Sequence, residues 1–303
     1  MNNVICTNVK YFRNVKDYKF LPKLEEEKRK EIYDLVSKVV TKEMKFIDQS
    51  NKEDFNKLYE LNLILPNSKT IFADLKNDVV LSLFEDEHIK INAGGLGYDE
   101  KIFTNAKKIE NLIKDKINLT YSDEYGYLTS NLVLIGNGMR ISSVLDLSSL
   151  KEMGKIDKVT QNVKNLGYIL RHIGENLYEL STSCTLGFTE SEVITEFGKM
   201  LNKVDDLENE SLRLQDIQNH DEIIDRAHRS YGVLTNAYLL NVDELKKHVS
   251  NILRGINLDE LKVDKNAVLK LYSLCRTKTN FITKNDMKNL ATTVQNILKG
   301  DDK

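Results

Sequence analysis

The feature that most constrains this chain is a change in the spacing of its apolar residues near Val204. Before that point short strand-like runs alternate with amphipathic helices; after it apolar residues recur only at helical intervals. The pattern predicts an α+β fold: a mixed domain over residues 1–205 followed by an all-helical domain over 206–303. Only 2 prolines and 14 glycines interrupt the chain, so long helices meet few breakers. From Leu24 to Ile47, Ile32, Leu35, Val36, Val39, Val40 and Met44 mark one helical face. Ile71-Phe72-Ala73 and Val79 to Leu83 flank Lys76-Asn77-Asp78 as a hairpin running on into His88–Ile91. A helix follows through Ile102, Phe103, Ala106, Ile109 and Ile113. Leu132 to Leu147 reads as strand interrupted by Gly136-Asn137-Gly138, and Ile156 to Leu166 as a helix ended by Gly167. Tyr168–Arg171 and Leu177–Ser183 are strands. Thr189 with Glu192 forms a capping box that opens a helix through Phe197 and Leu201.

Charge narrows the range of partners. Lys+Arg 44 against Asp+Glu 46 gives 44 − 46 = −2, which leaves no bulk drive toward nucleic acid or an acidic membrane. No apolar run approaches the ~20 residues of a membrane helix, and Met1 to Lys10 lacks a signal-peptide core. Cys6, Cys184 and Cys275 are far apart and odd in number, which fits a reducing compartment better than a disulfide scaffold. A cytoplasmic protein is expected.

Several motifs invite chemical readings. Asn92-Ala93-Gly94-Gly95-Leu96-Gly97 lacks phosphate-loop spacing and reads as a tight connection between strand and helix. The five histidines form no H-E-x-x-H; His220, Asp221, Glu222, Asp225 and His228 read as solvated helix positions rather than a metal site. Glu85-Asp86-Glu87-His88 follows an apolar strand, as a charged turn or as paired carboxylates. Arg140 and Arg171 stand at strand ends, where fixed cations would suit polyphosphate.

Longer motifs choose among these readings. Tyr125-Gly126-Tyr127-Leu128-Thr129-Ser130, Gly136-Asn137-Gly138-Met139-Arg140 and Leu145-Asp146-Leu147 resemble the G-Y-L-T-S…G-T-G-x-R-A-S…L-x-L-P-A-L segment of bacterial protein-arginine kinases, in the ATP:guanido phosphotransferase family. Arg226-Ala227-His228-Arg229-Ser230-Tyr231-Gly232-Val233-Leu234 resembles their R-V-Y-R-S-Y-G-V-L, and Arg254-Gly255-Ile256-Asn257-Leu258 their R-L-G-I-D-L. The R-S-Y-G helix resembles the protein-kinase branch rather than the small-molecule phosphagen kinases. The resemblance implies an antiparallel sheet flanked by helices, a helical C-terminal dimerisation or regulatory region, and transfer of the ATP γ-phosphoryl group, with Mg²⁺, to arginine in a protein substrate. A homodimer and a regulatory protein partner are also implied.

The resemblance also implies the site and where it departs. The family's S-S-R-x-R-x-x-R-N falls on Cys6–Asn14, so its two phosphate-clamping arginines become Asn8 and Lys10. N-E-E-D-H-x-R falls on Phe84–Lys90, which places catalytic carboxylates at Glu85 and Asp86 and a phosphate cation at Lys90; Arg140 and Arg171 complete the clamp. The family's mobile loop after Arg171 is cut short, with Glu175 as its carboxylate. R-D-x-x-R-A falls on Asn285–Leu290 and keeps neither arginine; the T-Q-P-G is replaced around Cys275–Lys278. Lys keeps a point charge without the bidentate fork of Arg, and Asn keeps no charge. Two outcomes are expected from these losses: a guanidino kinase of reduced activity, or a catalytically silent pseudokinase serving as a nucleotide-binding or protein-interaction scaffold.

Overall fold

The computed structural model of the chain describes residues 1–277 and 283–300. In chain order the elements are β1 (Val4–Arg13), α1 (Glu26–Val40), β2 (Lys45–Ile47), α2 (Lys52–Glu60), β3 (Ile71–Asp74), β4 (Val79–Leu83), β5 (Ile89–Leu96) and α3 (Lys101–Lys114). A small pair, β6 (Tyr121–Ser122) and β7 (Gly126–Tyr127), precedes β8 (Met139–Asp146), α4 (Ser148–Glu152), α5 (Ile156–Asn165), β9 (Tyr168–Gly174) and β10 (Leu177–Thr182). Then come α6 (Glu190–Asn236), α7 (Val242–Asn257), α8 (Lys265–Thr277) and α9 (Lys284–Lys299). Lys278, the end of the replaced T-Q-P-G stretch, lies outside the described residues.

Eight strands form one sheet in the order β2-β3-β4-β5-β1-β8-β10-β9, and each neighbouring pair is antiparallel. The α+β architecture read from the sequence is the one observed, and among the described residues no strand follows β10. Side chains alternate across the sheet. Val9, Tyr11, Ile89, Ile91, Ile141, Leu145 and Leu180 point to one face, where Ile32 and Val36 of α1, Phe103 and Ile109 of α3, Val163 of α5 and Phe197 and Leu201 of α6 close the main core. Each such aliphatic side chain contributes about 1.5–3 kcal/mol on burial.

The alternate positions leave a polar second face with cover at two places. Leu58 of α2, with Leu63 and Ile64, packs on Ile71, Ala73 and Val80. Ile5 and Val144 pack against a cluster built from Leu234, Leu245, Val249, Val268 and Tyr272 of the C-terminal helices. Between these two covers the sheet presents charge.

Local chemistry departs from the sequence reading in four places. The helix begun near Leu24 stops at Val40, and Lys45–Ile47 joins the sheet as β2. Leu132–Leu134 is a 3₁₀ turn capped by Asn131, whose side chain accepts from the Val133 amide; Leu132 is exposed, so no core held it as strand. Gly94 and Gly95 are not a connection but lie inside β5, opposite Asn8 and Thr7. The glycine is required there, because a Cβ on Gly94 would stand 2.2 Å from Asn8 Nδ2. The helix opened by the Thr189–Glu192 capping box runs on through residue 205 and breaks its helical geometry only at Asn219.

Candidate active site

β1 carries Asn8 and Lys10 on the polar face, and the register places Lys10 between Arg140 of β8 and Asn92 of β5. Lys90 stands two residues before Asn92 on the same face. Across the sheet, Ser142 pairs with Ser181, and Arg140 donates to Ser181 Oγ at 3.1 Å. Arg171 of β9 pairs with Glu179 of β10, with Nη2 2.7 Å from Oε2. Antiparallel pairing therefore sets four cations from four strands on one surface.

Lys10 is the electrostatic centre. Burial lowers its pKa below the ordinary lysine value; Lys90 and Arg140 lower it further, while Glu179 and Asp86 oppose them. Lys10 is thus partly desolvated with cations on either side, an arrangement that gains energy when an anion enters.

The β4–β5 turn supplies the carboxylates. Phe84 takes φ 61 to start the turn. Glu85 accepts from Ser68 Oγ and from Lys90 Nζ. Asp86 lies 3.2 Å from the same Nζ, its side chain 55 % exposed. Glu85 and Asp86 also border a depression of about 880 Å³ of mixed charge, in which Glu26 and Glu27 stand with Arg29, Lys30 and Lys69. Glu87 faces the other way and is fully buried. It accepts from Asn14 Nδ2 at 2.7 Å and from the Ser130 amide and hydroxyl at 2.8 and 2.7 Å. It ties the turn to the Gly-Tyr-Leu-Thr-Ser segment. His88 is neutral by arrangement: Nδ1 accepts from the Val15 amide and Nε2 donates to Lys19 O, and burial lowers its pKa.

Beneath this surface Arg13 is fully buried. It binds Glu110 through Nε and Nη2 at 3.1 and 3.0 Å, and through Nη1 it binds the carbonyls of Phe12, Asn137 and Gly138. Its guanidinium lies 3.6 Å from the Tyr127 ring centroid. Arg13 therefore fixes the loop that leads into Arg140. Gly138, at φ 54, leaves room for it: a Cβ there would meet Arg13 Nη1 at 2.6 Å.

Asn8 makes no approach to the cations. Its Nδ2 donates to Leu61 O and Asn62 O at 3.5 and 3.4 Å, and Asn92 Nδ2 donates to Asn62 O and Leu63 O at 3.1 and 2.8 Å. Asn92 thus ties the loop after α2 onto the sheet, with Asn8 in longer, weaker contact beside it. Glu175 is likewise not brought to the group. It occupies the two-residue turn between Gly174 and Leu177 with φ 44, at the end of β8 away from Arg140. Its carbonyl accepts from Lys151 Nζ and hydrogen-bonds His172 Nε2.

Sequence reasoning missed Glu179, the carboxylate that the hairpin sets against Arg171. The alternation of Leu177-Tyr178-Glu179-Leu180 was the available signal. It also missed a cavity of about 500 Å³ that joins Lys10, Arg171 and Glu179 to α2 and α8. Among the described residues no group of three His, Cys, Asp or Glu side chains is placed to hold a metal.

Comparison with known proteins decides the family. The family model described as ATP:guanido phosphotransferase, C-terminal catalytic domain, matches residues 7–211. The chain belongs to that family. It is 30% identical to the protein-arginine kinase of Clostridium botulinum over 295 residues, covering 88% of this chain and 85% of the relative. It is also 30% identical to the protein-arginine kinase of Caldanaerobacter subterraneus, covering 86% and 84%. Among solved structures, the duplicated taurocyamine kinase of Schistosoma mansoni with bound transition-state-analog components superposes with a TM-score of 0.60 at 19% identity. It covers 68% of this chain and 33% of that one, so this chain spans about a third of the duplicated kinase. Lombricine kinase gives 0.60 at 17% identity over 71% and 67%. The sheet of this guanido phosphotransferase relative is thus the sheet of phosphagen kinase structures.

Proposed function

We propose that the protein transfers the γ-phosphoryl group of ATP to arginine side chains of protein substrates, at a rate reduced by its altered clamp. The observation that carries this reading is the convergence of Lys10, Lys90, Arg140 and Arg171 on one sheet face, with Glu85 and Asp86 beside Lys90. Phosphoryl transfer needs the triphosphate held in line and its charge neutralised. Four cations on one face suit that task, and the carboxylates of Glu85 and Asp86 suit a guanidinium acceptor, whose pKa above ~12 calls for a positioned base. Mg²⁺ would arrive on the phosphates. The family match and the names of the relatives support ATP and protein arginine as the two substrates.

Reduced rate follows from the substitutions. Lys10 and Lys90 offer point charges in place of forks, Asn8 offers an amide already engaged with the α2 loop, and Glu175 is turned away. The same observation at Asn8 favours a second reading, a silent scaffold that binds nucleotide without transferring phosphate. We further propose that residues 1–205 form the catalytic-type unit, that 206–303 serve dimerisation or regulation by a protein partner, and that the protein works in the cytoplasm. No helix among the described residues is long and apolar enough to cross a membrane.

The test is incubation with Mg-ATP and an arginine-rich protein, read by mass spectrometry under conditions that preserve acid-labile phosphoarginine. Phosphoarginine formed more slowly than ~1 s⁻¹ is expected. ATP binding without phosphoarginine selects the scaffold, and absence of ATP binding defeats both readings.

A further inference from the structure

The charged sheet face does not stand alone. The cavity of about 500 Å³ that contains Lys10 and Arg171 is also bordered by the C-terminal helices, which contribute Lys246 from α7 and Leu269, Tyr272 and Cys275 from α8. Lys246 borders this cavity. Its side chain is only 17% exposed, and its charge is close enough to the Cys275 thiol to oppose the effect of burial, which pushes that thiol up to about 12. Ser250 lies one helical turn further along α7, on the same side, and receives a hydrogen bond from Asn176 at the β9–β10 turn. This face of α7 therefore looks onto the sheet. The partner of Lys246 within α7 is Asp243, at 3.5 Å and 81% exposed, a weak surface contact that a buried anion would replace.

Tyr272 completes the wall. Its hydroxyl donates to the buried Asp146 carboxylate, which fixes the ring; only 4% exposed, it borders the cavity beside Val144 and Leu177 of the sheet. The cavity thus carries the cations Lys10, Arg171 and Lys246 and the acids Glu60 and Glu179, with apolar surface from Val144, Leu177 and Leu269. Cations together with apolar surface in one cavity suit a molecule that has both a phosphate chain and an aromatic base.

We propose that the nucleotide site is shared between the sheet and the C-terminal helices, with Lys246 as an additional phosphate-binding residue and α8 as the wall against which the base packs. The inference rests on the nucleotide reading above and adds that occupancy is felt directly by α7 and α8. A ligand held by both halves draws them together, which gives the helical region a physical means of sensing nucleotide.

Isothermal titration with Mg-ADP tests it, on the full chain and on Lys246→Gln and Lys246→Arg, with folding of each checked by circular dichroism. Lys246→Gln is expected to weaken binding about tenfold, the loss of one charge-assisted contact, while Lys246→Arg stays within about threefold of the parent. Hydrogen exchange with Mg-ADP should slow amides in both β1 and residues 242–275. Unchanged affinity in Lys246→Gln, with exchange protection confined to the sheet, overturns the shared site. If Lys10→Met then still abolishes binding, the nucleotide reading survives that failure. No binding by the parent chain at millimolar Mg-ADP overturns both.

Discussion

Replacing Lys10 with methionine should stabilise the empty protein and cripple anion binding, two effects of opposite sign from one charge. Lys10 sits directly opposite Arg140 and diagonal to Lys90 on the same face. Side chains so placed have Cβ atoms about 5 and 7 Å apart. With an effective dielectric constant of ~20, unit charges at ~6 to 8 Å repel by about 2–3 kcal/mol each. Desolvation of the ammonium, the largest cause of its lowered pKa, adds to that repulsion, while Glu179 and Asp86 oppose it. A net gain of about 1–2 kcal/mol is expected on removing the charge while keeping the length of the side chain. For a chain of this size that raises Tm by roughly 2–6 °C. The same substitution removes a charged donor worth about 1.5–3 kcal/mol to a bound phosphate, so the Kd for Mg-ADP should rise roughly 10- to 150-fold. Differential scanning fluorimetry and isothermal titration read the two quantities on one sample. A lower Tm, or a Kd within twofold of the parent, would refute the account of Lys10 as a strained cation awaiting an anion.

Two further outcomes concern the frame that holds the site. Arg13→Ala leaves Glu110 buried without its guanidinium and frees the Asn137 and Gly138 carbonyls, so a urea melt should show a loss of about 3–5 kcal/mol; a loss below ~1 kcal/mol would mean the pair is not what anchors that loop. Glu208, which accepts from the Ser149 and Leu150 amides, has its pKa pushed up to about 7 by burial. Its protonated form is favoured by folding, so its contribution is complete below about pH 4.5 and lost as pH rises through about 7. The stability of the parent relative to Glu208→Gln should fall by about 3 kcal/mol between pH 4.5 and 8, and a pH-independent difference would show that Glu208 is ionised throughout.

The order of elements was legible because it rests on local patterns. The Ile71–Leu83 hairpin, the Thr189 cap and the helical spacing beyond Val204 each need only near neighbours to form. The exceptions depend on distant partners. Lys45–Ile47 is too short to announce itself as a strand and exists because β3 offers it an edge. Gly94-Gly95 reads as a connection until Asn8 is seen lying against it. At the site, residues Lys10, Lys90 and Arg140 were legible through motif order, and pairing register does bring them together. Glu179 was not, because a single acid in a short strand carries no signal until the opposite strand shows Arg171. The wall formed by Lys246 and Tyr272 was also hidden, since helical periodicity says which face is apolar but not which sheet it covers.

In the proposed site, Asn8 shows how the frame could persist with an altered clamp. A long cationic side chain at that position would have to pass the carbonyls of Leu61 and Asn62, which the Asn8 amide now holds. Asparagine trades a charge over the sheet for a tether to the loop after α2, and Asn92 doubles that tether. The loop in turn carries Leu63 and Ile64 into the cluster over β3 and β4, so its attachment is supported by apolar burial as well as by the amides. Ser68, a few residues further on, reaches Glu85 and so links this loop to the carboxylate beside Lys90. A substitution at the clamp is thereby connected, through one short loop, to the position of a candidate catalytic acid. Restoring an arginine at position 8 alone would set a new cation against that loop and disturb Glu85 in the same step. Under the proposed function, faster transfer would therefore require the loop and the clamp to be altered together.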